Sequence, residues 1–495
     1  MTARVLMCQG TGSDVGKSVL VAGLCRLFRN RGFKVAPFKP QNMSNNSAVT
    51  EDGGEIGRAQ ALQSRAAGLN PSIHMNPVLL KPEADHTSQL VLQGRVAGRL
   101  NARNWHDKRE RLLPAIGESF THMAESCDLL IVEGAGSAAE TNLRASDVAN
   151  MGFAEAFGVP VVLIGDIDRG GVIASLVGTH QVLAPPDRAR IRGFLVNKFR
   201  GDISLFAPGM QDVTRHTGWT SLGIVPWLTA AARLPAEDAV PLQGGSRSHA
   251  DAKIRIAVPM LAHIANFDDL DPLRAEPGVS VAFVPPGQPI PMGVDAIILP
   301  GTKSTLSDLA MLREQGWDID IRANARAGAR ILGLCGGYQM LGRAVRDPGG
   351  SDGAVAEAPG LALLDAETEM AAEKAVRRCT GRAPGYDADV EGYEIHMGRT
   401  TGADCARPMV QIEGRDDGAV SADGRIEGTY LHGLFGSDAF RRAWLTSIDP
   451  RLSKPFAFDA SVDAALDEIA AVLADTLDIE TLLSFAEHPG WSPTT

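Results

Sequence analysis

From the start of the chain to about Leu234, short aliphatic runs alternate with stretches whose apolar residues recur every three or four positions. The runs fall at residues 5–8, 35–38, 129–132, 161–164 and 194–196. Between the first two, Leu20, Leu24, Leu27 and Phe28 give a crossover helix one apolar face. Such alternation predicts a three-layer α/β domain built on a parallel sheet, spanning 1–234. Residues 235–252 (PAEDAVPLQGGSRSHADA) lose all periodicity and predict a linker. A second α/β series follows at 253–259, 279–284, 296–299 and 330–334. Strand-like pieces come next at 393–397, 409–412 and 428–432, then helical patterns to the C-terminus, so the second domain is expected over 253–495.

The chain has 495 residues, too many for a single core at ~150 residues per domain. A net charge of −11 with no long basic run disfavours nucleic acid and anionic membranes as partners. No apolar run approaches the ~20 residues of a membrane span, and the N-terminus carries no signal-peptide pattern. Six scattered cysteines without a CxxC pair argue against a disulfide scaffold or structural zinc, and a cytoplasmic setting is expected. The sequence leaves a homo-oligomer open.

The first run leads into Gly10-Thr-Gly-Ser-Asp-Val-Gly-Lys17-Ser18 and then the amphipathic helix. Glycines such as Gly12 and Gly16 let backbone N–H groups face a phosphate, Lys17 reaches the terminal phosphates of ATP, and Ser18 is suited to Mg²⁺. Gly10 stands one position too far from Gly16 for the standard P-loop spacing. Phosphoryl transfer also wants carboxylates for Mg²⁺. Glu133 ends the run 129–132 at the carboxyl edge of the expected sheet. Asp52 and Glu55 form a second candidate pair whose alternative is a solvated turn. Asp166 and Asp168 follow another strand and could equally cap the next helix.

In the second half, a strand leads into Gly333-Leu-Cys335-Gly-Gly-Tyr-Gln339. A thiol on a sharp strand-to-helix turn is exposed and favoured as thiolate by the helix N-terminus. The candidate base is His432, at the end of a strand-like run. Gly336 and the Pro300-Gly301-Thr302 turn are the candidate backbone donors to an oxyanion.

Together these residues resemble a known combination. The N-terminal loop with Val-Glu133-Gly-Ala-Gly looks like the dethiobiotin synthetase type of ATP-binding domain, and the thiol elbow with His432 like a class I glutamine amidotransferase. Their fusion in this order is similar to the amidases of cobalamin biosynthesis. Lys39-Pro-Gln-Asn-Met-Ser-Asn-Asn-Ser47, Asn76-Pro-Val-Leu-Leu-Lys-Pro82, Gly165-Asp-Ile-Asp-Arg-Gly-Gly171, Asn197-Lys-Phe-Arg-Gly-Asp202, Leu299-Pro-Gly-Thr-Lys-Ser-Thr305 and Gly392-Tyr-Glu-Ile-His-Met-Gly398 narrow the resemblance to the cobyric acid synthase family. Class I enzymes usually carry His-x-Glu, whereas Leu434 stands two positions after His432 here, and nothing in the sequence says what orients the histidine.

The resemblance implies a P-loop α/β domain followed by a class I amidotransferase-like α/β domain, with ATP, Mg²⁺, glutamine and a corrinoid as the small molecules handled. The implied reaction is amidation of adenosylcobyrinic acid a,c-diamide at its b, d, e and g carboxylates. The nearest alternative is the a,c-diamide synthase of the same pathway, against which the Lys39 to Ser47 string argues. An alternative of another class is a partitioning or chaperone-like P-loop ATPase, which has no use for a thiol elbow.

Overall fold

In the computed structural model, which describes residues 3–82, 87–101, 108–235, 252–350, 352, 355–371, 374–452 and 456–491, the runs of the first half line up as one six-stranded sheet. From edge to edge its strands are Thr220–Pro226, Ile191–Phe199, Val161–Asp166, Arg4–Gly10, Leu129–Glu133 and Val35–Phe38. All the pairings are parallel. Val35–Phe38 and Leu129–Glu133 are buried at every residue, which is why the sequence shows them as continuous apolar runs rather than alternations. Cys8 pairs in register with Glu133, so the loop after Gly10 and the Glu133 side chain share the carboxyl edge of the sheet.

A smaller four-stranded sheet, Gln41–Met43, Val78–Pro82, Thr87–Leu92 and Arg95–Asn101, goes beyond the runs picked out above. Its outer strands are short or carry Arg, Gly and Asn, and weak alternation hid them, as it hid the edge strand Thr220–Pro226.

The second half forms another six-stranded sheet, ordered Val279–Val284, Ile254–Pro259, Ala296–Leu299, Arg330–Leu334, Ile426–Thr429 and Ala419–Val420. Only the last joins antiparallel. The single strand expected over 428–432 is two: Ile426–Thr429 continues the parallel sheet, and Leu431–His432 turns away to pair antiparallel with Tyr393 and Glu394 of the strand Ala388–His396. That turn swings His432 out of the sheet.

Backbone packing groups Met1–Ser44, Thr50–Pro235 and Ser461–Thr495 as one unit, and Asn45–Val49 with Ala236–Ala460 as the other. The domain expectation of 253–495 therefore differs at its end. Ile469 and Leu473, on the helix Phe458–Thr476, lie so close to Gly23 that a Cβ there would come within 2.6 and 2.7 Å of them. Asp463 pairs with Arg26 and Arg65, and Glu487 exchanges backbone hydrogen bonds with Val5. The helical period revealed these C-terminal elements but not the face they cover. Of the expected linker 235–252, residues 236–251 lie outside the described ones.

Candidate active sites

Gly16 heads the helix Lys17–Asn30 with φ +91°, and a Cβ there would lie 2.5 Å from the Asn197 amide nitrogen. Asn197 Nδ2 in turn donates to the Val15 carbonyl at 2.8 Å, so the loop is braced from the strand Ile191–Phe199. Gly10 is equally confined: its Cβ would meet Val15 Cγ2 at 2.7 Å. The extra residue in the motif is thus accommodated by close packing at Gly10, while Gly12 has no such constraint and contributes its carbonyl to Lys17 Nζ at 3.0 Å. Lys17 Nζ also donates to the Gly136 carbonyl at 2.9 Å, joining the loop to the Glu-Gly-Ala-Gly turn. The helix has no side-chain cap and no acid in its first turn, which leaves its N-terminus fit for an anion.

Ser18 Oγ donates to Glu133 Oε1 at 2.7 Å. Glu133 is fully buried and also receives Lys39 Nζ at 2.8 Å and Gln63 Nε2 at 2.5 Å. Burial opposes its charge, but Lys39 and these hydrogen bonds outweigh that and hold the carboxyl below its usual range. Hydroxyl and carboxylate oxygens are the hard donors that Mg²⁺ prefers, so this pair fits the ion.

The other candidate carboxylates are placed differently. Glu55 is buried in an ion pair with Lys81 at 2.8 Å, whereas the direct carboxylate partner of Ser18 is Glu133. Asp52 is exposed in a turn. Asp166 receives Lys198 Nζ at 2.9 Å, and Asp168 receives Arg200 Nε at 2.6 Å. Neither caps the helix Val172–Val182, whose N-cap is Gly171 with no side-chain hydrogen bond. Lys198 also reaches the Asp14 carbonyl, so the Gly165 and Asn197 motifs both brace the phosphate loop.

In the second unit, Cys335 sits between the strand Arg330–Leu334 and the helix Gly336–Leu341 with φ +51°, a left-handed conformation rare for a residue with a side chain. Its neighbours show why the elbow is bracketed by glycine. A Cβ on Gly336 would approach Thr302 Cγ2 to 2.5 Å, and one on Gly301 would approach His432 Cε1 to 2.9 Å. The elbow, the Gly301-Thr302 turn and His432 therefore converge, and the Cys335 thiol expected to be exposed is instead buried by this close packing. Cys335 Sγ is 3.5 Å from the Ile395 carbonyl.

The residue sequence reasoning missed is Asp269. His432 Nδ1 lies 2.7 Å from Asp269 Oδ2, both side chains buried, and Gly433 N donates to Asp269 Oδ1 at 2.6 Å. Asp269 belongs to the turn Phe267–Leu270 after the strand Ile254–Pro259, some 160 positions before His432. No local motif could announce it; the only signal was the acidic pair Asp268-Asp269 after a strand. Burial disfavours charge on the imidazole, but Asp269 and the nearby Cys335 overcome this and raise its pKa to about 10. Nε2 is buried on the side of Gly301 and, by distance and angle, makes no hydrogen bond among the described residues. Tyr393 stacks on the ring, with centroids 5.3 Å apart and planes at 14°.

Gln339 is fixed by Thr305 Oγ1, which donates to its carbonyl at 2.8 Å, while its amide nitrogen donates to the Met397 carbonyl at 3.0 Å. The Gly392 to Gly398 motif thus forms one wall beside the thiol. Among the described residues no cluster of three or more His, Cys, Asp or Glu side chains is arranged to hold a metal, and no helix is long and apolar enough to cross a membrane.

Residues 6–242 match the CobQ/CobB/MinD/ParA nucleotide binding domain, and residues 255–440 match the CobB/CobQ-like glutamine amidotransferase domain. Over 491 residues, covering 99% of both chains, the sequence is 60% identical to a cobyric acid synthase of Hyphomonas neptunium. It is 60% identical to that of Paracoccus denitrificans over 97% of this chain and 99% of the relative. The cobyric acid synthase of Brucella suis is 58% identical over 98% of this chain and 100% of its own. With identity of this level along the whole length, and with both family models matched, the chain belongs to the cobyric acid synthase family.

Proposed function

We propose that this chain is an ATP- and glutamine-dependent amidoligase that converts adenosylcobyrinic acid a,c-diamide to adenosylcobyric acid by amidating the b, d, e and g carboxylates. The observation that carries the reading is the pairing, in one chain, of a Lys17–Ser18–Glu133 phosphate cradle with a Cys335–His432–Asp269 thiol site.

A carboxylate resists ammonia because it is anionic and has no leaving group. Transfer of the γ-phosphoryl from ATP to the corrinoid carboxylate gives an acyl phosphate and ADP, and ammonia then displaces phosphate. Lys17 neutralises charge on the phosphates, and the uncapped helix N-terminus receives them. Ser18 and Glu133 would hold Mg²⁺, which supplies charge neutralisation at the phosphate oxygens. Glu55, paired with Lys81 as Glu133 is with Lys39, is the further candidate for that ion.

Ammonia comes from glutamine. Cys335 passes its thiol proton to His432 Nε2 and its Sγ attacks the side-chain amide carbon, and the resulting oxyanion is met by backbone N–H groups of Gly336 and the Gly301-Thr302 turn. His432 gives its Nε2 proton to the departing nitrogen, leaving a thioester. Water, deprotonated by the same nitrogen, releases glutamate. Asp269 keeps the ring in the tautomer and orientation these steps need, the task a glutamate two residues on performs in other class I enzymes.

The experiment is a mass spectrum of a reaction containing the a,c-diamide, ATP and glutamine. Four added amides per corrinoid support the reading. An unamidated corrinoid with ATP still hydrolysed points to a P-loop ATPase, and, in a parallel reaction given cobyrinic acid instead, amidation confined to its a and c positions points to the diamide synthase.

A further inference from the structure

We propose that Asn266 is a positioning residue for glutamine hydrolysis, through which the segment 45–49 holds the Asp269–His432 pair in place; this rests on the amidoligase reading above. Residues 45–49 pack with the second unit although the chain on both sides of them packs with the first. Within the second unit this segment reaches both flanks of the thiol site. On one flank, the buried Ser47 N–H donates to Asn266 Oδ1 at 3.1 Å. Asn266 is itself 4% exposed, sits at φ +52° and heads the turn Phe267–Leu270, its carbonyl accepting the Asp269 N–H at 3.1 Å. On the other flank, Val49 packs against Tyr393 and Ile395. Tyr393 is stacked on His432, and the Ile395 carbonyl faces Cys335 Sγ.

The turn that carries Asn266 also governs the candidate oxyanion donors. Ala265 N donates to the Gly301 carbonyl and Lys303 N to the His263 carbonyl, each at 2.9 Å. A left-handed asparagine costs conformational energy that persists only where the surroundings fix it, and the Ser47 N–H is the contact that fixes the side chain here. Loss of that acceptor would let Asn266 relax, carrying Asp269 and the Gly301 turn with it. A displacement of ~1 Å at such a site costs on the order of 100-fold in rate. The Lys39 to Ser47 string therefore serves two sites: Lys39 grips Glu133, and Ser47 supports the thiol centre.

The test uses the full-length chain and two substitutions at one position. Asn266→Gly keeps the left-handed backbone without strain but deletes the acceptor, whereas Asn266→Asp keeps an acceptor oxygen. We expect Asn266→Gly to lower kcat for glutamine hydrolysis by about 10- to 100-fold with little change in KM, and Asn266→Asp to recover most of it. Val49→Ala, which thins the packing behind Tyr393, should lower kcat in the same sense by several-fold. A Gly variant as fast as the parent, or an Asp variant as slow as the Gly variant, overturns the proposal. So does a defect confined to KM. Amidation driven by added ammonia is followed in the same samples: its absence in the parent would refute the amidoligase reading instead, which keeps the two failures apart.

Discussion

Asp269 Oδ2 lies 2.7 Å from His432 Nδ1, while the other oxygen of the same carboxylate accepts the Gly433 amide. One side chain thus fixes both the imidazole and the backbone that carries it. The neighbouring Leu434 faces the core instead, and the carboxylate beside the imidazole comes from the distant turn Phe267–Leu270.

Removing that carboxylate should be felt in rate and in pH dependence. Asp269→Asn is expected to lower glutaminase kcat by about 10²- to 10⁴-fold, since an amide favours the wrong tautomer. Against the lowering effect of burial, Asp269 and Cys335 together raise the pKa of His432 above its ordinary 6.5 to about 10. The variant must therefore titrate lower, and its alkaline limb should move toward neutral pH. By the same linkage, the pair's contribution to stability is complete below pH 6.5 and is lost as pH rises through about 10. Glutaminase profiles of parent and variant, carried past pH 10, check this; an unmoved alkaline limb would count against the assignment.

Leu434 offers a contrasting case. It is 1% exposed and packs in the core with Phe435, Phe440 and Trp444. Leu434→Ala should destabilise the second unit by about 2–5 kcal/mol while leaving the kcat of the folded fraction within a few-fold of the parent. Thermal melts together with assays well below the transition separate the two effects. A loss as deep as that of His432→Ala in demonstrably folded protein would mean the side chain has a catalytic part.

The residues that chemistry concentrates in one segment were legible beforehand: the phosphate loop, Glu133 at a strand end, the cysteine elbow and the histidine. Strands such as Leu129–Glu133 and Ala296–Leu299 were legible for a related reason, because burial on both faces writes a continuous apolar run. Relationships that only folding creates were not. Asp269 reaches His432 from a distant turn, and Asn197 braces Gly16 from another strand. Glu55 stands out in the sequence as a metal candidate because its loop is acidic and Gly-rich, whereas its ion pair with Lys81 is a relationship that only packing creates. The helix at 458–476 was visible as a period, but its docking on Gly23 was not.

Lys17→Ala should abolish amidation whether nitrogen comes from glutamine or from ammonia, by at least about 10²- to 10³-fold, because both routes share the acyl phosphate. Its Nζ donates to the carbonyls of Gly12 and Gly136 within the loop region. ADP release measured with each nitrogen source is the check, and near-normal synthesis at saturating ATP would remove Lys17 from the phosphate site.

Lys39 and Glu133 should show their coupling in stability. Lys39→Met strands a fully buried carboxylate, and about 3–5 kcal/mol of destabilisation is expected at neutral pH. Because Lys39 depresses the Glu133 pKa, the stabilisation is present above the ordinary carboxylate range and fades as pH falls below it. The gap between parent and variant should therefore narrow on acidification. Denaturant unfolding at neutral and at acid pH measures it, and a gap that widens at low pH would contradict the ion-pair account.

Cys335→Ala separates the two chemistries within one chain. Alanine removes the sulfur from the strained elbow, while the phosphate cradle is built wholly from residues of the other unit. Glutamine-dependent amidation should fall by several orders of magnitude, because no other nucleophile is offered to the amide. Amidation from ammonium chloride should persist, since free ammonia attacks the acyl phosphate in either case. Raising the pH toward the pKa of ammonium increases the share of free ammonia and should rescue the variant further, whereas the parent with glutamine gains nothing by that route. ADP release and amide count, followed together across that pH range, give the answer. If the folded variant lost both activities, Cys335 would belong to the synthetase chemistry and its role as ammonia donor would be wrong.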